Sequence, residues 1–147
     1  MKKILALLLS VMLIAALLSG CGQVNYKDGT YTAQSSVYIG DEEDGDEGNG
    51  YAVVTITIRD NTVVDCVFTM YMEDGTVKDE SYGTKDGEIA NEGYYKRAQT
   101  AVAAGQSYAQ MLVESGTLKG VDAISGATIS YDQFKEAVNE ALKQARG

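Results

Sequence analysis

The 147-residue sequence contains no histidine, no tryptophan and no proline, and only two cysteines. The absence of histidine excludes catalysis by an imidazole and argues against a transition-metal site. An excess of acidic residues gives the chain a net charge of −9, which argues against nucleic acid as a partner and against binding to anionic lipid headgroups. The length suits a single domain.

The N-terminus has the composition of a secretion signal. Two lysines precede an apolar run over residues 4–18, and Leu18-Ser19-Gly20 stands directly before Cys21. A basic start, a short apolar run and small residues are typical of a secretory signal peptide, and the last four residues resemble a lipobox. The alternative, a transmembrane anchor, is disfavoured because the run is short for a full span. We therefore predict a lipoprotein signal peptide over residues 1–20.

Cleavage before Cys21 and acylation of that residue would attach the mature chain to the outer, extracytoplasmic face of the cell membrane. Removal of residues 1–20 takes two lysines and no acid, so the charge of −9 becomes −11. With Cys21 lipidated, Cys66 is the remaining cysteine, which excludes an internal disulfide. Residues 21–28 are predicted to be a tether and residues 29–147 the folded domain. In a further interpretation, a peptide over residues 13–19 is released from the signal peptide and acts as a secreted signal. This interpretation is compatible with a lipoprotein.

The first half of the domain predicts antiparallel strands. Residues 29–39 have the β-branched and aromatic content of a strand. Residues 51–59 and 62–72 alternate apolar and polar positions on either side of Asp60-Asn61, a two-residue turn that tolerates positive φ. Cys66 lies on the apolar face of this hairpin, where a buried thiol packs as a small hydrophobic group. The predicted apolar positions are Val54, Ile56 and Ile58 on one strand and Val64, Cys66, Phe68, Met70 and Met72 on the other.

Two polar segments predict loops. Residues 41–50 are acidic and glycine-rich, which favours a solvated hairpin loop; a Ca²⁺ site is the alternative, because hard cations take oxygen ligands, although the EF-hand pattern is missing. Residues 73–93 are rich in turn signals and predict a long loop. Tyr82, Tyr94 and Tyr95 are candidates to stack on a planar ring, the alternative for each being ordinary packing with an exposed hydroxyl.

The second half of the domain predicts helices. Residues 94–104 have helical composition, Gly105 interrupts them, and Ser107 opens a capping box for a helix that Gly116 ends. Ser130 opens a second capping box, which caps the final helix. Strands followed by helices predict an α+β fold, with an antiparallel sheet packed against the C-terminal helices. The final helix carries apolar residues at helical spacing: Phe134, Ala137, Val138, Ala141 and Leu142.

The stretch Asp122-Ala123-Ile124-Ser125-Gly126-Ala127-Thr128 leads into that final helix. The N-terminus of a helix favours a phosphate, because its amides are unpaired and its dipole is positive there. Gly126 and Ala127 keep side chains out of the way, and Thr128 offers a hydroxyl for a phosphoester. Asp122 is a candidate to order the loop by accepting hydrogen bonds from backbone amides. A plain helix entry, with Ser125-Gly126 as a turn, explains the same residues.

The same stretch resembles the Asp-x-x-Ser/Thr-Gly-Ala-Thr signature of the FMN-binding domain family, and no position of residues 122–128 departs from it. Asp28-Gly29-Thr30-Tyr31 is similar to the family's first strand, and the hairpin over residues 53–67 and the helix after the signature follow in the family's order. The resemblance covers most of the predicted mature chain. It implies that FMN is joined through its phosphate to the hydroxyl of Thr128.

According to the resemblance, a separate flavin transferase makes this bond with FAD as donor and a Mg²⁺ ion, and Asp122, Ser125, Gly126 and Ala127 shape the loop around the phosphate. Ser130 is a second hydroxyl nearby, which we assign to capping. The implied function is that of a membrane-anchored redox carrier in extracellular electron transfer, not an enzyme, with unspecified electron donor and acceptor. The alternative is a surface lipoprotein of the same fold that binds a ligand or a partner without covalent flavin.

Overall fold

The computed structural model describes residues 24–40 and 48–146. The predicted signal peptide, Cys21, the start of the tether and most of the acidic loop lie outside these residues. Strands precede helices, and the fold is α+β, as predicted. The elements are β1 (Gly29–Gln34), β2 (Tyr51–Arg59), β3 (Thr62–Tyr71), α1 (Glu92–Ser115), a 3₁₀ turn (Leu118–Gly120) and α2 (Thr128–Arg146).

The three strands form one antiparallel sheet in the order β1-β2-β3. Its outer face carries threonine pairs across β1 and β2, with hydroxyl separations of 3.1 Å for Thr30 and Thr57 and 2.9 Å for Thr32 and Thr55. The inner face packs against α1, which contacts β3, and against α2, which contacts β1 and β2. Since side chains alternate along a strand, β2 buries every second residue, namely Ala52, Val54, Ile56 and Ile58.

The predicted apolar face of β3 is wrong at one position, because the β2-β3 ladder contains a bulge. Val63 pairs with Ile58, whereas Asp65 pairs with Thr57, which leaves Val64 without an opposing residue. Val63 is consequently buried and Val64 is 42% exposed. An extra residue shifts every later side chain to the other face, and strict alternation in the sequence does not reveal it.

The strand ends also differ from the predicted ones. β3 ends at Tyr71 instead of residue 72, and β1 ends at Gln34 instead of residue 39. Beyond β1, Tyr38 and Gly50 still exchange two backbone hydrogen bonds, of 2.7 and 2.9 Å. The turn at Asp60-Asn61 is confirmed, with φ values of 48° and 63°.

Cys66 is half-buried on β3 and packs against the core. Burial, with a smaller effect from the neighbouring Asp65, raises the pKa of its thiol to about 12. The thiol is therefore neutral in the folded protein and behaves as a packing group.

The segment predicted as two helices is one helix, α1. Asn91 caps it, since its Oδ1 accepts a hydrogen bond of 3.0 Å from the amide of Tyr94. Ser107 lies inside this helix and does not open a second one. Its hydroxyl donates to the carbonyl of Ala103, one turn earlier. Gly116 ends α1 as predicted, with a left-handed φ of 69°.

Gly105 does not interrupt α1 because it faces the sheet closely. A Cβ at this position would lie 3.0 Å from Cε of Met70 and 3.2 Å from Cδ1 of Phe68, both on β3. The small residue thus serves helix-to-sheet packing at some cost in helix propensity. The five apolar residues predicted for the final helix are all buried, and Phe134 meets Phe68 edge to face at 5.0 Å.

Replacement of Gly50 by alanine is expected to destabilise the fold. Its φ is 126°, and a Cβ would collide with the backbone of Tyr71 and Met72. We expect Gly50→Ala to lower the free energy of unfolding by about 3 kcal/mol, the upper range for a strained backbone position. Urea denaturation followed by circular dichroism measures this loss.

Gly87→Ala is the matched control. Gly87 also has a positive φ, of 81°, but a Cβ at this position would have no other atom within 4 Å. The control isolates the cost of the backbone conformation, about 1 kcal/mol. Equal losses for the two variants would show that the contact with β3 is unimportant.

Candidate functional site

Residues 124–127 form a tight turn directly before α2. The carbonyl of Ile124 accepts a hydrogen bond of 3.1 Å from the amide of Ala127. Gly126 stands third in this turn with a φ of 81°, the value that a type II turn requires there. A Cβ on Gly126 would come no closer than 3.7 Å to Thr100, so the backbone conformation favours glycine more than the available space does.

The hydroxyl of Tyr108, on α1, joins the two ends of this turn. It accepts a hydrogen bond of 3.1 Å from the amide of Ile124 and donates one of 3.2 Å to the carbonyl of Ala127. The side chain is fully buried, and burial raises the pKa of its hydroxyl, which keeps the hydroxyl neutral and able to donate. Tyr131 holds the start of the loop in a similar way, by donating to the carbonyl of Val121 at 3.0 Å.

Asp122 does not have the ordering role that its position suggested. Its side chain is exposed, and no hydrogen bond joins it to another residue in the described part of the chain. Ser125 is exposed as well. The buried Tyr108 and the partly buried Tyr131 order the loop, whereas Asp122 and Ser125 are exposed.

The helix α2 begins at Thr128, so its cap position is residue 127, three residues earlier than the predicted cap at Ser130. Its first hydrogen bond runs from the amide of Tyr131 to the carbonyl of Ala127, at 3.0 Å. The amides of residues 128–130 therefore have no partner within the helix. Ala127, in the capping position, has no side-chain oxygen, whereas Asn91 caps α1. The predicted cap, Ser130, is wrong, because it lies inside the first turn.

The two hydroxyls near this helix start differ in access. Thr128 is exposed, whereas Ser130 is buried, with 6% of its surface accessible. A group attached to Thr128 would meet the three unpaired amides without disturbing the core. Ser130 offers little accessible surface to a second protein.

A cavity of about 260 Å³ adjoins this helix start. Gly126, Ala127, Thr128 and Ser130 border it, whereas Asp122 and Ser125 do not. Its volume is slightly below that of typical small-molecule pockets, so a large aromatic ligand would lie partly outside. The other walls come from β3, from α1 and from the long loop, and the lining includes Met70, Lys78, Tyr82, Tyr94, Arg97 and Gln133.

Two of the three tyrosines predicted as stacking candidates border the cavity. The rings of Tyr82 and Tyr94 meet edge to face, with centroids 6.4 Å apart. Tyr95 points elsewhere and donates its hydroxyl to the carbonyl of Glu80. The hydroxyl of Tyr82 accepts a hydrogen bond of 3.1 Å from the amide of Gly48, which fixes the ring at the cavity wall.

Gln99, on α1, holds the long loop in place. Its side-chain amide donates to the carbonyls of Asp79, Glu80 and Tyr82, at 3.1, 3.3 and 2.8 Å. The loop that the sequence predicts as irregular is thereby tied to a rigid helix. Lys78 and Tyr82, at the two ends of this tied segment, keep their places in the cavity.

Lys78 is a buried cation, with 7% of its surface accessible. Its Nζ donates to the carbonyl of Gly48 at 2.9 Å and lies 5.0 Å from the ring centre of Tyr82. Among the described residues, no carboxylate lies within ion-pair distance of it. Burial lowers the pKa of Lys78 from 10.5 to about 8.

The described ranges, 24–40 and 48–146, contain no cluster of three or more ligand-type side chains arranged for a metal ion. No helix in those ranges combines the length and the apolar composition needed to cross a membrane. The Ca²⁺ alternative for the acidic loop falls mainly on residues outside them.

The sequence alone does not identify Lys78, Gln99 and Tyr108 as residues of the site. Each belongs to a segment with an ordinary local pattern, and each reaches the site from a distant part of the chain. By its local pattern, Tyr108 belongs only to the apolar side of a helix. No local signal distinguishes such residues, because their role depends on what the fold places opposite them.

A family model described as "FMN-binding domain" matches residues 48–143, which include the whole turn and most of α2. No curated protein matches the sequence. The structure is similar to the crystal structure of the CPE2226 protein from Clostridium perfringens, with a TM-score of 0.57 and 21% sequence identity over 82% of this chain and 88% of that one. This similarity supports the fold alone.

Removal of the Tyr108 hydroxyl tests its role in holding the turn. Tyr108→Phe leaves the partly buried amide of Ile124 without its partner, and we expect a loss of about 1–3 kcal/mol in the free energy of unfolding. Tyr131→Phe removes a single hydrogen bond to the carbonyl of Val121 and should cost about 1 kcal/mol. Chemical denaturation compares the two, and a larger loss for Tyr131→Phe would contradict the assignment.

The depressed pKa of Lys78 predicts a pH dependence of stability. Between pH 8 and 10.5 the unfolded chain keeps the lysine proton that the folded chain has released, so stability rises with pH. Cys66 acts in the opposite direction above pH 9, because its raised pKa lets the folded chain keep a proton that the unfolded chain loses. The effect of Lys78 is therefore clearest between pH 8 and 9.

Urea denaturation at pH 7, 8 and 9 measures this effect in the protein without flavin. We expect the stability of the wild type to rise relative to that of Lys78→Met between pH 8 and 9. Lys85→Met, at an exposed position of the same loop, should follow the wild type. Parallel curves for the wild type and Lys78→Met would refute the shift.

Proposed function

We propose that this chain, which belongs to the FMN-binding domain family, carries FMN joined through its phosphate to the hydroxyl of Thr128. The observation that carries this proposal is the position of Thr128. It is the exposed first residue of α2, it borders the cavity, and the cap position before it has no side-chain acceptor. A helix start of this kind favours a phosphate.

The buried position of Ser130 supports Thr128 as the acceptor. Both residues carry a hydroxyl close to the same unpaired amides, but Thr128 is exposed whereas Ser130 is buried. A second protein must reach the acceptor oxygen for the bond to form. Access therefore favours Thr128.

A separate flavin transferase would form the bond, with FAD as donor and Mg²⁺ as its metal. The hydroxyl oxygen of Thr128 attacks the phosphorus on the FMN side of the pyrophosphate, the bond to AMP breaks, and the hydroxyl proton is lost. The Mg²⁺ ion neutralises charge on the phosphates. In this reaction the chain presents an acceptor and does not act as an enzyme. Asp122 and Ser125, which are exposed, are suited to contact the transferase.

The cavity beside Thr128 supports a role for the flavin in electron transfer. Tyr82 and Tyr94 offer aromatic surface to an isoalloxazine ring, and Lys78 and Arg97 offer positive charge. Because the cavity is small, part of the ring would remain accessible to an electron donor and an electron acceptor. The protein would then be a redox carrier, and the difficult chemistry would belong to its cofactor.

The N-terminal sequence supports a location on the outer face of the cell membrane. The proposed lipid on Cys21 would keep the domain near membrane electron donors. A covalent bond to the flavin suits this location, since a cofactor lost outside the cytoplasm is not replaced. The proposed function is thus that of a lipid-anchored flavoprotein in extracellular electron transfer.

Co-expression with a flavin transferase tests the attachment site. We expect the wild type to show a fluorescent band on a denaturing gel and a mass increase of one FMN less one water. Thr128→Val should lose both signals, because it keeps the shape of the side chain and removes the oxygen. Ser130→Ala is the matched control and should retain them.

Two outcomes would contradict the proposal. Fluorescence and adduct mass retained in Thr128→Val would move the site elsewhere. A wild type that gains no adduct with an active transferase would favour a binding module without covalent flavin.

A further inference from the structure

Among the described residues, the contacts of Lys78 offset its buried positive charge only in part. Its Nζ donates to one carbonyl, that of Gly48, and lies over the ring of Tyr82. A neutral donor would form the same hydrogen bond without the free-energy cost of burying a charge. No carboxylate among the described residues offsets that charge. Within the described ranges, Lys78 is therefore a cation without a carboxylate partner in the wall of a cavity.

Lys78 and Thr128 border the same cavity. A molecule attached at Thr128 that extends into this cavity would come close to the ammonium group. A negative charge on such a molecule would be stabilised, because opposite charges interact strongly where water is excluded. If the bound molecule can exist in two charge states, Lys78 therefore stabilises the state with the more negative charge.

We propose that Lys78 raises the reduction potential of the attached flavin by stabilising its reduced state. This inference rests on the proposed attachment of FMN at Thr128. When bound, FMN supplies a ring that accepts two electrons from an external donor and one proton from water, and so gains one negative charge. Lys78 offsets that charge with its ammonium group.

The protonation of Lys78 should be linked to reduction. Its pKa of about 8 leaves it largely neutral above that pH before reduction. A negative charge in the cavity then favours the ammonium form. Above pH 8, Lys78 would therefore take up one further proton from water for each pair of electrons that enters.

Other charged or titratable groups surround Lys78. Tyr82 comes from the same loop, and Tyr94 and Arg97 come from α1. Asp79 and Glu80 border a second cavity, which Lys78 also borders, and hydrogen bonds from Ser81 lower the pKa of Asp79. Substitution of Lys78 alone leaves all of these groups in place.

Spectroelectrochemical titration of the flavinylated protein tests the proposal. We expect Lys78→Met, at pH 7, to raise the ratio of oxidised to reduced flavin at a fixed potential about tenfold, which lowers the midpoint by about 30 mV for a two-electron couple. Lys78→Arg keeps the charge and should remain near the wild type. Lys85→Met removes an exposed lysine from the same loop and should also remain near it.

The pH dependence of the midpoint gives a second readout. In the wild type we expect the slope to steepen above pH 8, from one proton for two electrons, about 30 mV per pH unit, to two protons, about 60 mV per pH unit. Lys78→Met should show no such change between pH 7 and 9.5. Because it replaces a buried cation with an apolar side chain of similar length, the variant is expected to fold.

The outcomes separate the two proposals. A flavin adduct on both proteins with equal midpoints and equal slopes would overturn the role of Lys78 and leave the attachment at Thr128 intact. The absence of any adduct on the wild type would overturn the attachment and, with it, this inference. A lower midpoint for Lys78→Met, together with a slope change seen only in the wild type, supports both.

Discussion

The two hydrogen bonds of the Tyr108 hydroxyl are the constraint on which the site depends. They join the amide of Ile124 to the carbonyl of Ala127 through a side chain that is anchored in the core. The ring of Tyr108 packs against Tyr131 and Phe134, at centroid distances of 5.4 and 5.7 Å. A buried aromatic ring has little freedom to move, so the turn and the start of α2 inherit the rigidity of the core.

This arrangement leaves the start of α2 available to a ligand. The start of α1 is satisfied internally by Asn91, whereas α2 begins after an alanine, which is among the weakest capping residues. The Tyr108 hydroxyl donates to the carbonyl of Ala127. Ala127 itself has no side-chain oxygen that could cap the three amides in the first turn of α2. The cavity, with its aromatic and cationic walls, lies beside those amides. The fold thus combines a rigid helix start with a surface suited to a flat, charged group.

Much of the architecture was predictable because it depends on local patterns. Alternating apolar residues identified β2, and helical spacing identified the buried face of α2. The errors have physical causes. The bulge at Val64 depends on the pairing of two strands, Gly105 is favoured by contact with Phe68 and Met70, and Ser130 resembled a cap because its own sequence neighbours form a capping box. At the bulge and at Gly105 a tertiary contact outweighed a local preference.

The sequence by itself determined the α+β order of elements, the hairpin turn and the stretch that resembles a flavin-attachment signature, since each of these is encoded by neighbouring residues. Only the tertiary structure decided that Thr128 is exposed and Ser130 is buried, that Tyr108 orders the turn while Asp122 stays outside it, and that Lys78 enters the cavity. These facts depend on residues far apart in the chain. Their burial and pairing are determined by packing, and packing has no local signature.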